Sequence, residues 1–164
     1  RALGGGDRVF FADASCDIAC EVLGRLRLRV AEIQGLTKNS EELDFLWVTE
    51  FPLLAFDAAE KKWNAVHHPF TRPLADDLPL LEEQRYAEMR AEAYDVVLNG
   101  VEIGGGSIRI HEPELQAKMF SVLGITEEQQ QSQFGHLLRA FRPGASPHGG
   151  IAPGLDRLVM LVCG

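Results

Sequence analysis

The sequence lacks long apolar runs and an excess of basic residues. No run approaches the roughly 20 apolar residues that span a bilayer, so we expect no membrane segment. The 16 Lys and Arg are outnumbered by 24 Asp and Glu, which gives a net charge of −8. Surfaces that grip nucleic acid through its phosphates are basic, so we expect the chain alone to bind RNA weakly.

Cysteine is scarce, and several catalytic patterns are missing. Three cysteines cannot all pair, which favours a reducing compartment. Cys16 and Cys20 are four residues apart in a predicted helix without a matching Cys or His pair, so we interpret them as ordinary half-buried thiols rather than metal ligands. Gly-x-Ser-x-Gly, P-loop and Gly-x-Gly-x-x-Gly patterns are absent, which argues against those nucleophile and phosphate-binding sites.

The first part of the chain is predicted to be the tail of a separate module, 1–36. Arg8–Ala12 is a strand-like apolar run, and Asp13 or Ser15 is placed to cap a helix. That helix should end near Gly35, and a polar linker, 37–44, should follow. The apolar stripe of the predicted helix has spacings of three and four residues and comprises Ile18, Val22, Leu26, Val30 and Ile33.

The second part, 45–164, begins with a predicted strand, Phe45–Leu54, that Pro52 ends. A polar turn at 57–64 and a loop carrying His67 and His68 come next. Leu80–Ala93 is rich in Glu, Ala, Arg and Leu, which predicts a helix.

Asn99-Gly100 separates two apolar runs, 94–98 and 101–110, and predicts an antiparallel hairpin. A helix should start at Pro113 and end at Gly124, and Thr126 with Gln129 should form a capping box for the next helix. Three residues should form the apolar edge of that helix: Leu137, Leu138 and Phe141. A Gly/Pro-rich loop, 142–151, should then lead to an apolar helix, 155–162.

The hairpin places two carboxylates on one face. With Asn99 and Gly100 in the turn, Val97 faces Glu102, and Asp95 becomes a diagonal neighbour of Glu102 at about 7–8 Å. Two carboxylates at that spacing can share a magnesium ion, whose other ligands are usually waters and substrate phosphates. The alternative is a pair of solvated acids on an exposed sheet face.

Three consecutive glycines, Gly104–Gly106, follow Glu102 and indicate a bulge or a close approach to the backbone. A regular strand would point Glu102 and Arg109 to opposite faces, whereas a bulge in the glycines would bring them together. Arg109 would then offer a planar fork of donors to a carboxylate. The alternative is an ordinary surface arginine.

The segment 148–157 places glycines before a helix start, where free backbone N–H groups favour phosphate. Arg157 lies in the first turn, within reach of a terminal phosphate or a purine ring. A generic glycine-rich loop is the alternative. His67 and His68 could be two ordinary histidines of a loop. A metal site is not expected here, because adjacent residues rarely bind one metal ion.

Four segments in this order resemble the C-terminal part of bacterial-type aspartyl-tRNA synthetases: LWVTEFP, HHPFT, YDVVLNGVEIGGGSIRIH and PHGGIAPGLDRLVML. The resemblance covers about 46–164, and GIAPGLDRL corresponds to the third signature motif of class II synthetases. Residues 1–36 resemble the end of the inserted, GAD-like module. The resemblance implies an α+β fold, with an antiparallel sheet flanked by helices.

The resemblance also implies site roles. Asp95 and Glu102 would hold Mg²⁺ and ATP, and Arg109 would clamp the side-chain carboxylate of aspartate. His67 and His68 would lie in a mobile loop closing over the amino acid. The ATP edge would comprise Gly154, Leu155, Asp156 and Arg157.

The implied reaction joins L-aspartate to ATP as aspartyl-adenylate and then transfers aspartate to tRNA(Asp), with tRNA(Asn) as a further acceptor to consider. The implied enzyme is a homodimer of the bacterial cytoplasm, or alternatively of the mitochondrial matrix. Both chain ends read as cut from a longer protein. We therefore expect the 164 residues alone to lack full activity, because the anticodon-binding barrel and the first two class II motifs would lie upstream.

Two alternatives stay open. One is a sister enzyme, either an asparaginyl- or lysyl-tRNA synthetase or an ammonia-dependent asparagine synthetase, although Arg109 favours an acidic substrate. The other is a non-catalytic paralogue that acts as a binding module.

Overall fold

The computed structural model describes residues 4–36, 42–141 and 143–163. The chain divides into two compact units, Arg1–Leu43 and Asp44–Gly164. Most of the predicted linker, 37–41, lies outside the described residues, and the assignment of 1–36 to an inserted module stays a prediction. Among the described helices, none combines the length and apolar character that a membrane crossing requires.

The first unit is built around one helix, α1 (Cys16–Ile33). Ser15 occupies the N-cap position as predicted, without a side-chain capping bond, and the helix ends just before Gly35. The predicted strand at 8–12 is wrong: the segment has no paired strand, and Phe11 is 90% exposed. A strand-like run needs a partner for its backbone N–H and C=O groups, which local sequence cannot supply.

The thiols of the chain are more exposed than predicted. Cys16, Cys20 and Cys163 are all exposed, so the expectation of half-buried thiols is wrong. The Sγ atoms of Cys16 and Cys20 lie 4.0 Å apart on one face of α1, as their spacing indicated.

The second unit has a four-stranded antiparallel sheet in the order β1-β4-β5-β6. Its strands are β1 (Phe45–Thr49), β4 (Ala93–Leu98), β5 (Val101–Ile108) and β6 (Gly149–Pro153). A separate hairpin consists of β2 (Leu54–Asp57) and β3 (Lys62–Ala65). The α-helices of the second unit are α2 (Leu78–Glu82), α3 (Pro113–Val122), α4 (Glu127–Phe141) and α5 (Leu155–Cys163). The predicted antiparallel sheet with flanking helices is confirmed.

The core of this unit lies where the β2–β3 hairpin, α3 and the segment before β4 meet. Eight buried residues form it: Leu53, Leu54, Leu81, Met89, Ala91, Ala93, Ile110 and Met119. Helix α3 begins at Pro113 and ends before Gly124 as predicted. The predicted capping box before α4 is also confirmed, since Thr126 N donates to Gln129 Oε1 at 2.9 Å and Gln129 N donates to Thr126 Oγ1 at 3.3 Å.

The predicted strand at 45–54 and polar turn at 57–64 are only partly right. Strand β1 ends at Thr49, and the next strand, β2, pairs with β3 rather than with β1. Glu50 has a positive φ of 58°, which breaks the run between them. The β2–β3 hairpin was missed because each of its strands is only four residues long, too short for a clear pattern.

The predicted helix at 80–93 is wrong beyond Glu82. Residues 89–93 are extended, and Met89, Ala91 and Ala93 alternate into the core. Arg90 points the other way, where its guanidinium and backbone N–H donate to the carboxylate of Asp77 at 2.8–3.0 Å. These bonds lower the pKa of the buried Asp77 carboxyl below its usual value. The non-local pairing with Asp77 outweighs the local helix preference of the segment.

Candidate functional site

The β4–β5 hairpin forms the frame of the candidate site, and its predicted register is confirmed. Leu98 pairs with Val101, and Val97 pairs with Glu102. The turn residues Asn99 and Gly100 have positive φ angles of 49° and 83°, the conformation that a two-residue type I′ turn requires.

A bulge interrupts the hairpin directly after Glu102. Val97 pairs with Glu102, but Val96 pairs with Gly104, so Ile103 is the extra residue. A bulge is predicted within Gly104–Gly106, and the structure places it one residue earlier. The bulged Ile103 carbonyl accepts a 2.7 Å hydrogen bond from Gly154 N, which fixes the start of α5 beside Glu102.

The carboxylates of Asp95 and Glu102 meet over the backbone of Gly105. A Cβ added to Gly105 would collide with Asp95 Oδ1 and would lie 3.6 Å from Glu102 Oε1. The predicted sharing of one face is therefore confirmed, and the lack of a side chain at Gly105 leaves room for both carboxylates. Two carboxylates that meet in this way fit a Mg²⁺ ion that keeps waters and phosphates as its other ligands.

Arg157 projects from the first turn of α5 onto Glu102. Its Nη1 donates to the Glu102 carbonyl at 2.8 Å and lies 3.3 Å from Glu102 Oε2. Both side chains are about half exposed, so the ion pair itself contributes little to stability. The pairing brings an arginine to the edge of the two-carboxylate group, which sequence spacing did not reveal. Leu155 and Asp156, in the same turn, are exposed.

The predicted loop at 142–151 is only partly right: residues 143–148 are irregular as predicted, but a strand begins at Gly149. In β6, Gly149–Pro153 pairs with β5, with Pro153 opposite Gly104 and Ile151 opposite Gly106. A Cβ on Gly106 would collide with the Gly150 carbonyl, and one on Gly104 would lie 3.1 Å from Pro153 Cα. The glycines of β5 therefore admit a close neighbouring strand on one face and the two carboxylates on the other.

Arg109 directly follows β5 and pairs with Thr71, so it lies on the same face as Gly105 and Ser107, because side chains alternate along an extended backbone. Its Nη1 is 3.1 Å from His68 Nδ1. The bulge thus has the predicted effect of bringing Arg109 to the face that carries the carboxylates. Ser107, which sequence patterns did not single out, is buried with its Oγ 3.4 Å from His68 Nε2.

His68 is held as a neutral imidazole. Burial, the positive charge of Arg109 and the neighbouring His67 lower the pKa of His68 to about 4. Its Nδ1 accepts a 3.2 Å hydrogen bond from Phe70 N as well as the contact from Arg109. Since Nδ1 accepts from these donors, the ring proton of a neutral His68 belongs on Nε2, facing Ser107.

The two adjacent histidines differ in their surroundings. His67 is exposed and packs edge-on against the ring of Phe51, with ring centres 5.0 Å apart. His68, rather than His67, contacts Arg109. The carboxylate pair with Arg157 thus lies along β5, and Arg109 with the neutral His68 lies just past the end of that strand.

Comparison with known proteins shows which family the chain belongs to. The family model for class II tRNA synthetases (D, K and N) matches residues 19–164. An aspartate–tRNA(Asp/Asn) ligase of Methylacidiphilum infernorum is 56% identical over 159 residues, covering 96% of this chain and 26% of the relative. An aspartate–tRNA ligase of Staphylococcus saprophyticus is also 56% identical, covering 97% and 27%.

A solved structure shares the fold. The aspartyl tRNA synthetase from Entamoeba histolytica aligns over 95% of this chain and 25% of its own, with a TM-score of 0.53 and 25% identity. The chain spans about a quarter of the length of the curated relatives that it matches. From the family match and these identities, the chain belongs to the class II tRNA synthetase family.

Proposed function

We propose that the protein containing this chain is an aspartate–tRNA ligase. It activates L-aspartate with ATP to aspartyl-adenylate, releases pyrophosphate, and transfers the aspartyl group to tRNA(Asp). The observation that carries the proposal is Arg109, held against a neutral His68 on the sheet face that also bears two carboxylates and Arg157.

Arg109 is the proposed clamp for the side-chain carboxylate of aspartate. Its guanidinium fork matches a carboxylate bidentately, and such charge-assisted pairs are stronger than neutral hydrogen bonds. The contact from Arg109 to His68 uses one of its five N–H donors, so others stay available to the substrate. His68 leaves the positive charge of Arg109 unopposed because the imidazole is neutral. His68 itself and His67, exposed beside it, are the other two proposed aspartate-site residues.

Asp95 and Glu102 are the proposed Mg²⁺ ligands. Bound there, the ion would neutralise charge on the ATP phosphates. Gly154, Leu155, Asp156 and Arg157 are the proposed ATP edge. Arg157 already lies against Glu102. Because that ion pair is half exposed and weak, Arg157 would give it up at small cost in order to contact a phosphate of ATP.

No protein nucleophile is needed for either step. The α-carboxylate of aspartate attacks the α-phosphorus of ATP, and the residues hold the two in line while opposing the negative charge that develops. Loss of one such electrostatic donor typically costs about 3–4 kcal/mol of transition-state stabilisation. Arg109 sets the amino acid at one end of β5, and the carboxylate pair with Arg157 sets the nucleotide at the other.

The proposed surroundings of the enzyme follow from the same assignment. We infer a homodimer in the bacterial cytoplasm. Transfer to tRNA(Asn) as well as tRNA(Asp) is a second candidate activity, favoured by the printed scope of the Methylacidiphilum infernorum relative.

The test is ATP–pyrophosphate exchange by the full-length natural protein with aspartate, asparagine, lysine and glutamate offered separately. We expect exchange with aspartate alone. Arg109→Ala should abolish aspartate-dependent exchange while ATP binding persists, and Arg139→Ala, an exposed arginine of α4, should have no effect. Exchange with a different amino acid, or equal loss of ATP and aspartate binding in Arg109→Ala, would contradict the assignment.

A further inference from the structure

A buried polar side chain of α3 hydrogen-bonds to the loop that presents His68. Gln116 is only 6% exposed, and its Nε2 donates a 2.9 Å hydrogen bond to the carbonyl of Pro69, the residue after His68. Sequence patterns did not single out Gln116. Because a glutamine in the middle of a helix is rarely buried, its position calls for a physical reason.

Packing alone does not explain Gln116. Its Oε1 is buried without a hydrogen-bond partner among the described residues. The side chain lines a mostly apolar cavity of about 180 Å³, together with Ile110, Ala117, Phe120 and Leu138. Burial of an unpartnered amide oxygen is unfavourable, and an apolar side chain of similar length would avoid that penalty. The contribution of Gln116 is therefore the bond to the loop.

The loop is anchored directly behind His68. The Pro69 carbonyl is held by Gln116, and the ring of Phe70 packs between Phe120 and Phe134, with ring centres 5.7 and 5.1 Å away. Phe70 also gives its N–H to His68 Nδ1, and its carbonyl accepts from Ile110 N at 2.9 Å. The orientation of the Pro69 peptide group therefore sets where the imidazole of His68 lies.

We propose that Gln116 is a positioning residue of the amino-acid site, which holds the Pro69 carbonyl so that His68 stays against Arg109. The proposal rests on the proposed function, in which Arg109 binds the substrate carboxylate. Without the Gln116 bond, the Pro69 carbonyl loses its donor and the Pro69 peptide group tilts. His68 then shifts away from Arg109, and the guanidinium loses the neighbour that fixes its orientation. The effect should fall on aspartate and spare ATP.

The experiment compares Gln116→Met with Met119→Leu in the full-length protein. Methionine matches the length of glutamine without its donor, and Met119 lies on the same helix, 1% exposed, in the core. In ATP–pyrophosphate exchange, Gln116→Met should raise the KM for aspartate about tenfold and leave the KM for ATP unchanged, because small misplacements of a binding group are costly. Met119→Leu should change neither KM.

A second measurement separates positioning from stability. Histidine side-chain NMR of the same variants should show the pKa of His68 rising from its low value in Gln116→Met, as the ring gains water and leaves Arg109, but not in Met119→Leu. If Gln116→Met matches Met119→Leu in both measurements, the proposal is wrong. If the unsubstituted protein shows no aspartate-dependent exchange, the proposed function fails, and the His68 titration alone still decides the role of Gln116.

Discussion

His68 shows how one side chain acquires a distinct chemistry from its position. His67 and His68 are equivalent in the sequence, yet only His68 is half-buried beside Arg109, and its pKa is lowered to about 4. The unfolded state therefore binds more protons than the folded state between pH 6.5 and about 4. With respect to His68, the free energy of unfolding is therefore highest above pH 6.5, and it decreases as the pH falls through that interval.

Histidine NMR titration tests this assignment. The imidazole signals of His68 should titrate near pH 4. Arg109→Ala should raise that pKa because a positive charge is removed, although burial, the larger cause, should keep it below the ordinary value. Arg139→Ala is the control and should leave it unchanged. Titration of His68 near 6.5 in the unsubstituted protein would contradict the neutral, buried state.

Gly105 matters because of what lies over it. Gly105→Ala should push the Asp95 carboxylate away from Glu102 and weaken Mg²⁺ binding, with an expected loss of affinity of about 10- to 100-fold for a displaced ligand shell. The magnesium dependence of ATP–pyrophosphate exchange would report the change. Gly150→Ala is a matched control, since an added Cβ there meets no atom within 4 Å. An unaltered magnesium requirement in Gly105→Ala would argue against the carboxylate pair as ligands.

At the scale of elements, the close pairing of β5 with β6 depends on Gly106. In Gly106→Ala the new methyl group would meet the Gly150 carbonyl, a backbone atom that moves only with its strand. Overpacking of this kind typically costs about 1–3 kcal/mol. Urea unfolding should show a lower midpoint for Gly106→Ala, whereas Gly150→Ala should unfold like the unsubstituted protein. Equal midpoints would show that the two strands can separate without cost.

Elements governed by local rules were predictable from the sequence. The Asn99-Gly100 turn fixed the hairpin register, Pro113 fixed the start of α3, and the Thr126–Gln129 box fixed the start of α4. Each depends on residues within a few positions of one another. Elements decided by distant partners were missed: residues 89–93 are extended because of Asp77 and the core, and β6 is a strand because the glycines of β5 face it.

The candidate site divides in the same way. The shared face of Asp95 and Glu102 followed from side-chain alternation, and the need for a bulge before Arg109 followed from an odd spacing. The selection of His68 over His67, the Ser107 contact and the Gln116 bond join segments about 40 to 50 residues apart, which no local pattern encodes. Ser107 lies two residues before Arg109, so side-chain alternation, which puts both on one face, was the available signal for Ser107.

At the scale of the whole molecule, the net charge predicts how tightly the chain binds RNA. A net charge of −8 opposes binding to phosphates, so the 164 residues should bind tRNA(Asp) far more weakly than the full-length protein. Fluorescence anisotropy with labelled tRNA at low salt would measure both. Comparable affinities would mean that local basic groups outweigh the overall charge.

The family match and the two compact units have different borders. The matched residues begin at 19, inside α1, whereas the units meet between Leu43 and Asp44. Our proposal that 1–36 ends an inserted module, and that 45–164 is the later part of the catalytic domain, follows the unit border. Limited proteolysis of the full-length protein should cleave close to 37–44 if the proposed linker is correct.

Strand β1 has a practical consequence for anyone who purifies the 164-residue chain. It is an outer strand of its sheet, with β4 as its one partner strand among the described residues, and Phe45, Leu46 and Trp47 are each more than half exposed. An open strand edge with apolar side chains on both faces is a template for pairing with another chain. The isolated chain should therefore self-associate as its concentration rises. The substitution Leu46→Lys should keep it monodisperse.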